Sequence, residues 1–251
     1  MQVTILGAGT AVPAPGRSPA GIAVRAGREL ILLDAGPGTL QRLAAASHPW
    51  QRLDRIFLTH FHPDHCLDLA AILFALRLPG LGRTAPLSVY GPRGLRQLYR
   101  RFNVALHGWL APRGFRLNLT ELHEGSSVRL PGYAMRAARM AHDGGRALAY
   151  RLAIGGRSLV YSGDTDECPA LEALAAGADL LILECSMPDE RKVAGHLTPT
   201  ECGRIAAAAG CRHLVLTHFY PAFQGVDIRG RVRRAFRGRL TLARDFTTLN
   251  V

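Results

Sequence analysis

The chain has 251 residues, 48% of them hydrophobic and 20% charged, a balance that supports a packed core and excludes whole-chain disorder. Its 31 basic residues against 19 acidic ones leave a net charge of +12, which favours anionic partners such as phosphate esters or nucleic acid. Lys192 is the only lysine, so an arginine-rich composition accounts for the charge as well as a binding role does.

The first apolar run, Val3 to Leu6, predicts a strand, and no leader-like segment precedes it. Gly21 to Arg25 and Leu30 to Asp34 predict two more strands joined at a Gly27 turn. A helix over Gly38 to Ala46 and a strand over Asp54 to Leu58 follow. The next helix, Asp64 to Leu78, places Leu67, Ala71, Phe74 and Leu78 on one apolar face. Leu87 to Tyr90 reads as a strand and Gly94 to Asn103 as a helix. In the second half, residues 148–154 alternate around a strand that turns at Gly155-Gly156 into Ser158 to Tyr161. Asp166 to Ala176 predicts a helix and Asp179 to Glu184 a buried strand. Thr198-Pro199-Thr200-Glu201 carries a capping box, and its helix stops at Gly210. Leu214 to Thr217, Val226 to Phe236 and Leu240 to Ala243 supply strand, helix and strand. No linker or low-complexity tract interrupts residues 1–251, so they read as one domain of two sheets covered by helices.

No apolar run reaches the ~18 residues that span a bilayer. The five cysteines (Cys66, Cys168, Cys185, Cys202, Cys211) form no regular framework and read as free thiols. The expectation is a soluble cytoplasmic protein with no membrane partner.

The chemistry is concentrated in Thr59-His60-Phe61-His62-Pro63-Asp64-His65, directly after a strand. His60 and His62 stand two apart on extended chain and can converge, while Asp64 and His65 open a helix whose dipole favours a carboxylate. Imidazole and carboxylate are zinc donors, and two pairs of them suit two adjacent ions. Further donors belong at other strand ends. Asp164 follows a strand in Ser162-Gly163-Asp164-Thr165, His218 ends Leu216-Thr217-His218, and His142 lies between two strand candidates. His48, His107, His123 and His213 stand in no such context and read as surface or packing residues. Cys66 and Cys185 adjoin these positions but point elsewhere.

With Leu6-Gly7-Ala8-Gly9-Thr10, Asp34-Ala35-Gly36, the His60 to His65 string, Ser162 to Thr165 and Thr217-His218, the sequence resembles the metallo-β-lactamase superfamily in its ribonuclease Z-like branch. The resemblance covers nearly the whole chain. It implies a four-layered αβ/βα sandwich, two mixed sheets flanked by helices, with metals at one edge. It assigns His60, His62 and His142 to one zinc ion and Asp64, His65 and His218 to another, with Asp164 as bridge. Manganese or iron would serve the same donors. Glu184 and His196 match a carboxylate–imidazole pair of that branch, His196 assisting the leaving oxygen and Glu184 orienting it. Asp64 would also orient or deprotonate the attacking water.

The expected activity is phosphodiester hydrolysis on short RNA, oligonucleotides or cyclic nucleotides, with a homodimer implied by the resemblance. Hydrolysis of a thioester, lactone or sulfate ester uses the same metal donors, and a non-catalytic, metal-stabilised RNA-binding module is the alternative outside enzymes. Bacterial ribonucleases Z carry a tRNA-gripping arm between the positions of His142 and Asp164. Here residues 143–163 leave no room for one. Two arginine clusters, at residues 93–101 and 229–239, read as solvated helix faces or as tracks for a phosphate backbone.

Overall fold

The computed structural model describes residues 1–251. The first half runs β1 (Gln2–Gly7), β2 (Gly21–Ala26), β3 (Glu29–Leu33), α1 (Thr39–Ala45), β4 (Leu53–Phe57), α2 (Pro63–Cys66), α3 (Asp68–Leu76), β5 (Leu87–Pro92), α4 (Leu95–Ala105) and β6 (Leu117–Leu122). The second runs β7 (Ser127–Leu130), β8 (Tyr133–Arg139), β9 (Leu148–Ile154), β10 (Arg157–Tyr161), α5 (Pro169–Ala175), β11 (Leu180–Glu184), α6 (Pro199–Ala208), β12 (His213–Thr217), α7 (Ile228–Arg233), β13 (Arg239–Leu242) and β14 (Thr247–Asn250).

One sheet has the order β14-β1-β2-β3-β4-β5-β6 and the other β13-β12-β11-β10-β9-β8-β7. In each, an antiparallel half gives way to a parallel half, at β3/β4 in the first and β10/β11 in the second. The strand alternation explains the layering. Ile31 and Leu33 face the core between the sheets, whereas Leu30 and Leu32 face the helices; Leu180 and Ile182 face inward, and Leu181 and Leu183 outward. Strands buried on both faces read as continuous apolar runs, which is why they were legible in the sequence. One helical layer (Leu43, Ile72, Leu95) covers the first sheet and another (Leu171, Ile205, Val232) the second. The result is the αβ/βα sandwich of the metallo-β-lactamase fold.

Three expectations are corrected. The helix expected over Asp64 to Leu78 is two helices, because the Asp68 N–H donates to Ala35 O at 2.9 Å instead of continuing the helical ladder. The face of Leu67, Ala71, Phe74 and Leu78 is apolar but exposed, and the core takes Leu69, Ile72, Leu73 and Leu76 instead. That segment is apolar nearly all round, so its periodicity does not select a face. The helices expected at Asp166 and Val226 begin later, at Pro169 and Ile228. Asp166 is held in a turn, its carboxylate accepting from Lys192 Nζ and the Gly195 N–H.

Between His142 and Asp164 the chain makes one short turn and the β9–β10 hairpin, with no protruding arm. Carboxyl ends of the parallel strands converge on one edge, where open α/β sheets place their ligand sites.

Candidate metal centre

Each candidate donor leaves the end of a strand at that edge. Asp34 follows β3, His60 follows β4, Asp164 follows β10, Glu184 closes β11 and His218 follows β12. Two of these turns are conformationally special. Asp34 and His218 have φ of 58° and 60°, a left-handed backbone that side chains rarely adopt. Gly163 has φ of 56°, and a Cβ there would lie 2.6 Å from Thr59 Cβ. Only glycine delivers Asp164 to the site from that turn. Gly36 is equally constrained, since a Cβ would come within 2.1 Å of Asp64 O.

The donors form two clusters. His60, His62, His142 and Asp164 offer atoms within 4.8 Å of one another, as do Asp64, His65 and His218. Asp164 faces both. Its Oδ2 lies 3.9 Å from His60 Nε2 and from His142 Nε2, and its Oδ1 lies 3.2 Å from His65 Nε2 and 3.5 Å from His218 Nε2. Asp64 Oδ2 lies 3.4 Å from His218 Nε2 and 3.9 Å from His65 Nε2.

The hydrogen bonds behind the rings fix which nitrogen carries the proton. His65 Nδ1–H donates to Asp34 Oδ2 at 2.8 Å and His142 Nδ1–H to Gly195 O at 2.8 Å. Thr59 Oγ1 spends its own proton on Asp34, so it accepts from His60 Nδ1 at 3.0 Å. Ser186 Oγ donates to Glu184 Oε2 at 2.6 Å, so it accepts from His218 Nδ1 at 3.0 Å. All four imidazoles therefore turn an Nε2 lone pair into the cavity, the arrangement of metal-binding histidines whose other nitrogen is held by an acceptor.

These residues fit a pair of divalent cations. His65 Nε2 and His218 Nε2, both acceptors, face each other at 3.2 Å, and His142 Nε2 and His62 Nδ1 also lie 3.2 Å apart. Ring nitrogens at that distance need a proton or a metal cation between them, and the same separations suit either. The spacing is also that of donors ~2.0–2.1 Å from a tetrahedral ion, about 3.3 Å apart. His60 Nε2 and Asp164 Oδ1 are buried with no hydrogen-bond partner, which leaves them free for a ligand bond.

Charge states agree with that use. Burial, with His65 alongside, holds His60 well below the usual histidine range, and burial with His142 nearby lowers His62. Both stay neutral, as ligands must. Burial opposes ionisation of Asp164, but His218 and His65 outweigh it and hold the carboxyl well below its usual range. Burial likewise opposes a charged His65, yet Asp164 and Asp34 raise it well above the usual histidine range, so with no cation beside it His65 carries a proton that a metal ion would displace. Asp64 behaves likewise through His218 and His65.

His196 stands beside this centre, its ring centroid 4.9 Å from that of His142. Its Nδ1–H donates to Glu184 Oε1 at 2.9 Å, and its Nε2 makes no hydrogen bond within the protein. Glu184 is itself fixed by the N–H groups of Thr165 and Ser186. Burial disfavours the charged imidazole, but the Glu184 hydrogen bond and charge prevail and raise its pKa.

All nine residues singled out in the sequence are thus brought to one edge. His48, His107, His123 and His213 are not among them. Asp34 as an orienting carboxylate, Ser186 as a relay and Tyr220, whose ring lies 6.0 Å from that of His218, were not assigned roles from sequence. Asp34 stood within a quoted motif. Ser186 and Tyr220 follow Glu184 and His218 by two residues, the only local signal they offered.

Residues 29–219 match the family described as beta-lactamase superfamily domain. The chain is 31% identical to the ribonuclease Z of Mycobacterium marinum, an alignment covering all of this chain and 99% of that protein. It is 28% identical to the ribonuclease Z of Methanothermobacter thermautotrophicus, covering 100% and 97%. The human tRNase Z short form superposes with a TM-score of 0.79 at 27% identity, covering 100% and 99%. The metallo-beta-lactamase fold protein YhfI from Bacillus subtilis superposes with a TM-score of 0.84 at 24% identity, covering 99% and 98%.

Proposed function

The chain belongs to the beta-lactamase superfamily, in its ribonuclease Z branch, and from that premise we propose that it is a dinuclear metal-dependent phosphodiesterase acting on short RNA, oligonucleotides or cyclic nucleotides. Binding of divalent metal and hydrolysis of RNA phosphodiesters follow from membership. Zinc as the metal, two ions per chain, the individual roles and the preference for small substrates are part of the proposal. The observation that carries it is Asp164, whose two oxygens divide between two nitrogen clusters.

His60, His62 and His142 would hold one ion and Asp64, His65 and His218 the other, with Asp164 available to both clusters. When bound, such ions supply Lewis acidity toward phosphoryl oxygens and lower the pKa of an attacking water. The protein's own residues do the rest. Asp64, ionised and with its side chain 11% exposed, is placed to accept a proton from that water. His196 presents its Nε2 to the leaving oxygen, and Glu184 favours the protonated imidazole and orients it through Nδ1. Asp34 holds His65 in register and is itself pinned by Thr59 and the Tyr161 hydroxyl.

Both sheets contribute donors, which supports a single catalytic domain over residues 1–251. Five free cysteines, four of them buried, support a reducing, cytoplasmic setting. A homodimer is part of the proposal, and sedimentation of the purified protein tests it, a monomer at micromolar concentration being the contrary result.

Rates on bis-p-nitrophenyl phosphate against those on thioester, lactone and sulfate ester substrates test the reaction class. The reading expects the phosphodiester to dominate. Tight RNA binding with no turnover in zinc or manganese would instead identify a binding module.

A further inference from the structure

Three guanidinium groups beside the metal centre have no ion-pair partner. Arg93 precedes α4, and Arg96 and Arg100 stand in it, so the three share one side at spacings of three and four. All are exposed, and none meets a carboxylate. The acid among them, Glu121, is already used, its Oε1 accepting the N–H groups of Gly94 and Arg96 at 3.1 Å. With Arg146 opposite, these residues line a groove of about 610 Å³ that contains no apolar side chain.

Both walls of the groove abut ligand-bearing loops. A Cβ added at Gly94 would lie 3.4 Å from the ring of Phe61, the residue between His60 and His62, so this wall runs close to the ligand-bearing loop. Arg146 donates to Asp143 Oδ1 at 2.7 Å, the residue after His142. The second arginine cluster differs, because part of it is spent inside the fold. Arg231 grips Asp189 and Glu190, and Arg233 donates to the carbonyls of Phe236 and Gly238.

We propose that the groove of Arg93, Arg96, Arg100 and Arg146 holds the phosphates of single-stranded RNA on one side of the scissile bond. The inference rests on the phosphodiesterase reading and names how that site holds a strand without an arm. Like charges kept unpaired at helical spacing repel each other, and a polyanion relieves that repulsion. From Arg96 to Arg100 is about 6 Å along the helix, with Arg93 on the turn just before it, room for about two successive phosphates of an extended strand. The absence of apolar and aromatic side chains makes the grip independent of sequence.

The test is anisotropy of a labelled 2′-O-methyl 12-mer, which resists cleavage, bound to metal-loaded protein between 50 and 300 mM KCl. Single-strand binding gives a log–log salt slope of about −0.7 per phosphate contact. The combined Arg93→Gln, Arg96→Gln, Arg100→Gln variant is expected to flatten the slope by about 2 and to weaken low-salt binding at least tenfold. Its turnover of bis-p-nitrophenyl phosphate is expected within twofold of the parent. Combined Arg229→Gln, Arg234→Gln and Arg237→Gln, which removes equal charge elsewhere, is expected to change the slope little. An unchanged slope and Kd in the first variant would overturn the proposal, as would an equal loss in the second. Competition by polyglutamate or by a hairpin duplex as effective as by single strand would also overturn it. Absence of phosphodiester turnover in the parent would instead refute the reading on which it rests, since the binding slope is read without cleavage.

Discussion

Asp164 is the residue on which the two clusters depend, with an oxygen toward each. Asp164→Ala is expected to lose activity and to lower the content of both metals, measured by plasma emission spectrometry on dialysed protein. Two ions per chain with normal turnover would remove it from the site. His196 also groups with Asp164 and His218, but its Nδ1 is engaged by Glu184 and lies 3.9 Å from Asp164 Oδ2, so His196→Ala is expected to keep the metals while losing ~10²–10⁴ in rate on a substrate with a poor leaving group. A p-nitrophenolate leaving group needs little proton assistance and should show a much smaller defect. Glu184 acts partly through His196, so Glu184→Gln should cost less in the His196→Ala background than in the parent, the remaining cost coming from its hold on Ser186 and the Thr165 N–H. Remote from this edge, burial with Arg239 nearby pushes His213 down to about 4, and its Nε2 meets Thr241 Oγ1 at 2.9 Å. The unfolded chain takes up that proton near pH 6.5, the folded one only near 4. Its contribution is therefore intact above pH 6.5 and declines as pH falls toward 4. Comparing urea midpoints of the parent and His213→Gln across that window should show a shallower decline in the variant.

At the scale of elements, the ligand-bearing turns are where backbone and chemistry meet. Gly163→Ala adds a methyl in a left-handed turn against Thr59. It is expected to destabilise the fold by about 1–3 kcal/mol from backbone strain, and to reduce metal content by displacing Asp164. Calorimetry with metal analysis checks both, and an unchanged Tm would contradict the packing argument. The capping box at Thr198 is formed as its sequence signals, with Glu201 Oε2 accepting the Thr198 N–H at 2.9 Å and Gly210 at φ 60° just past the helix. Such local signals, and the contiguous His60 to His65 string, were legible because both partners lie within a few residues. Asp34 and Ser186 were not, because they act across 31 and 32 residues of chain. β6, β7, β8 and β14 had no counterpart in the sequence reading. β8, Tyr-Ala-Met-Arg-Ala-Ala-Arg, alternates in burial, yet Ala and Arg carry little strand preference. β7 and β14 are four residues long and lie at sheet edges, where half-exposed chain gives a weak pattern.

For the whole molecule, the absence of an arm between His142 and Asp164 is what the proposed preference for small substrates rests on. Alignment with the Methanothermobacter ribonuclease Z runs over 302 positions against 251 residues here, so at least 51 positions are filled only in the relative. Residues 143–163 are already committed to a turn and a hairpin inside the second sheet. A remote grip supplies binding energy that positions a large substrate, and without it kcat/KM should favour short oligonucleotides and cyclic nucleotides over precursor tRNA. A tenfold advantage for precursor tRNA over every small phosphodiester would contradict this. The fold itself is organised for the chemistry: two mixed sheets bring the ends of six strands to one edge, and neither sheet holds a complete donor set. That dependence makes metal stoichiometry the sharpest probe of the account. Metal-free protein titrated with zinc, with bis-p-nitrophenyl phosphate turnover read at each step, should reach full activity at two equivalents per chain. A plateau at one equivalent, or no turnover at any loading, would contradict a dinuclear phosphodiesterase.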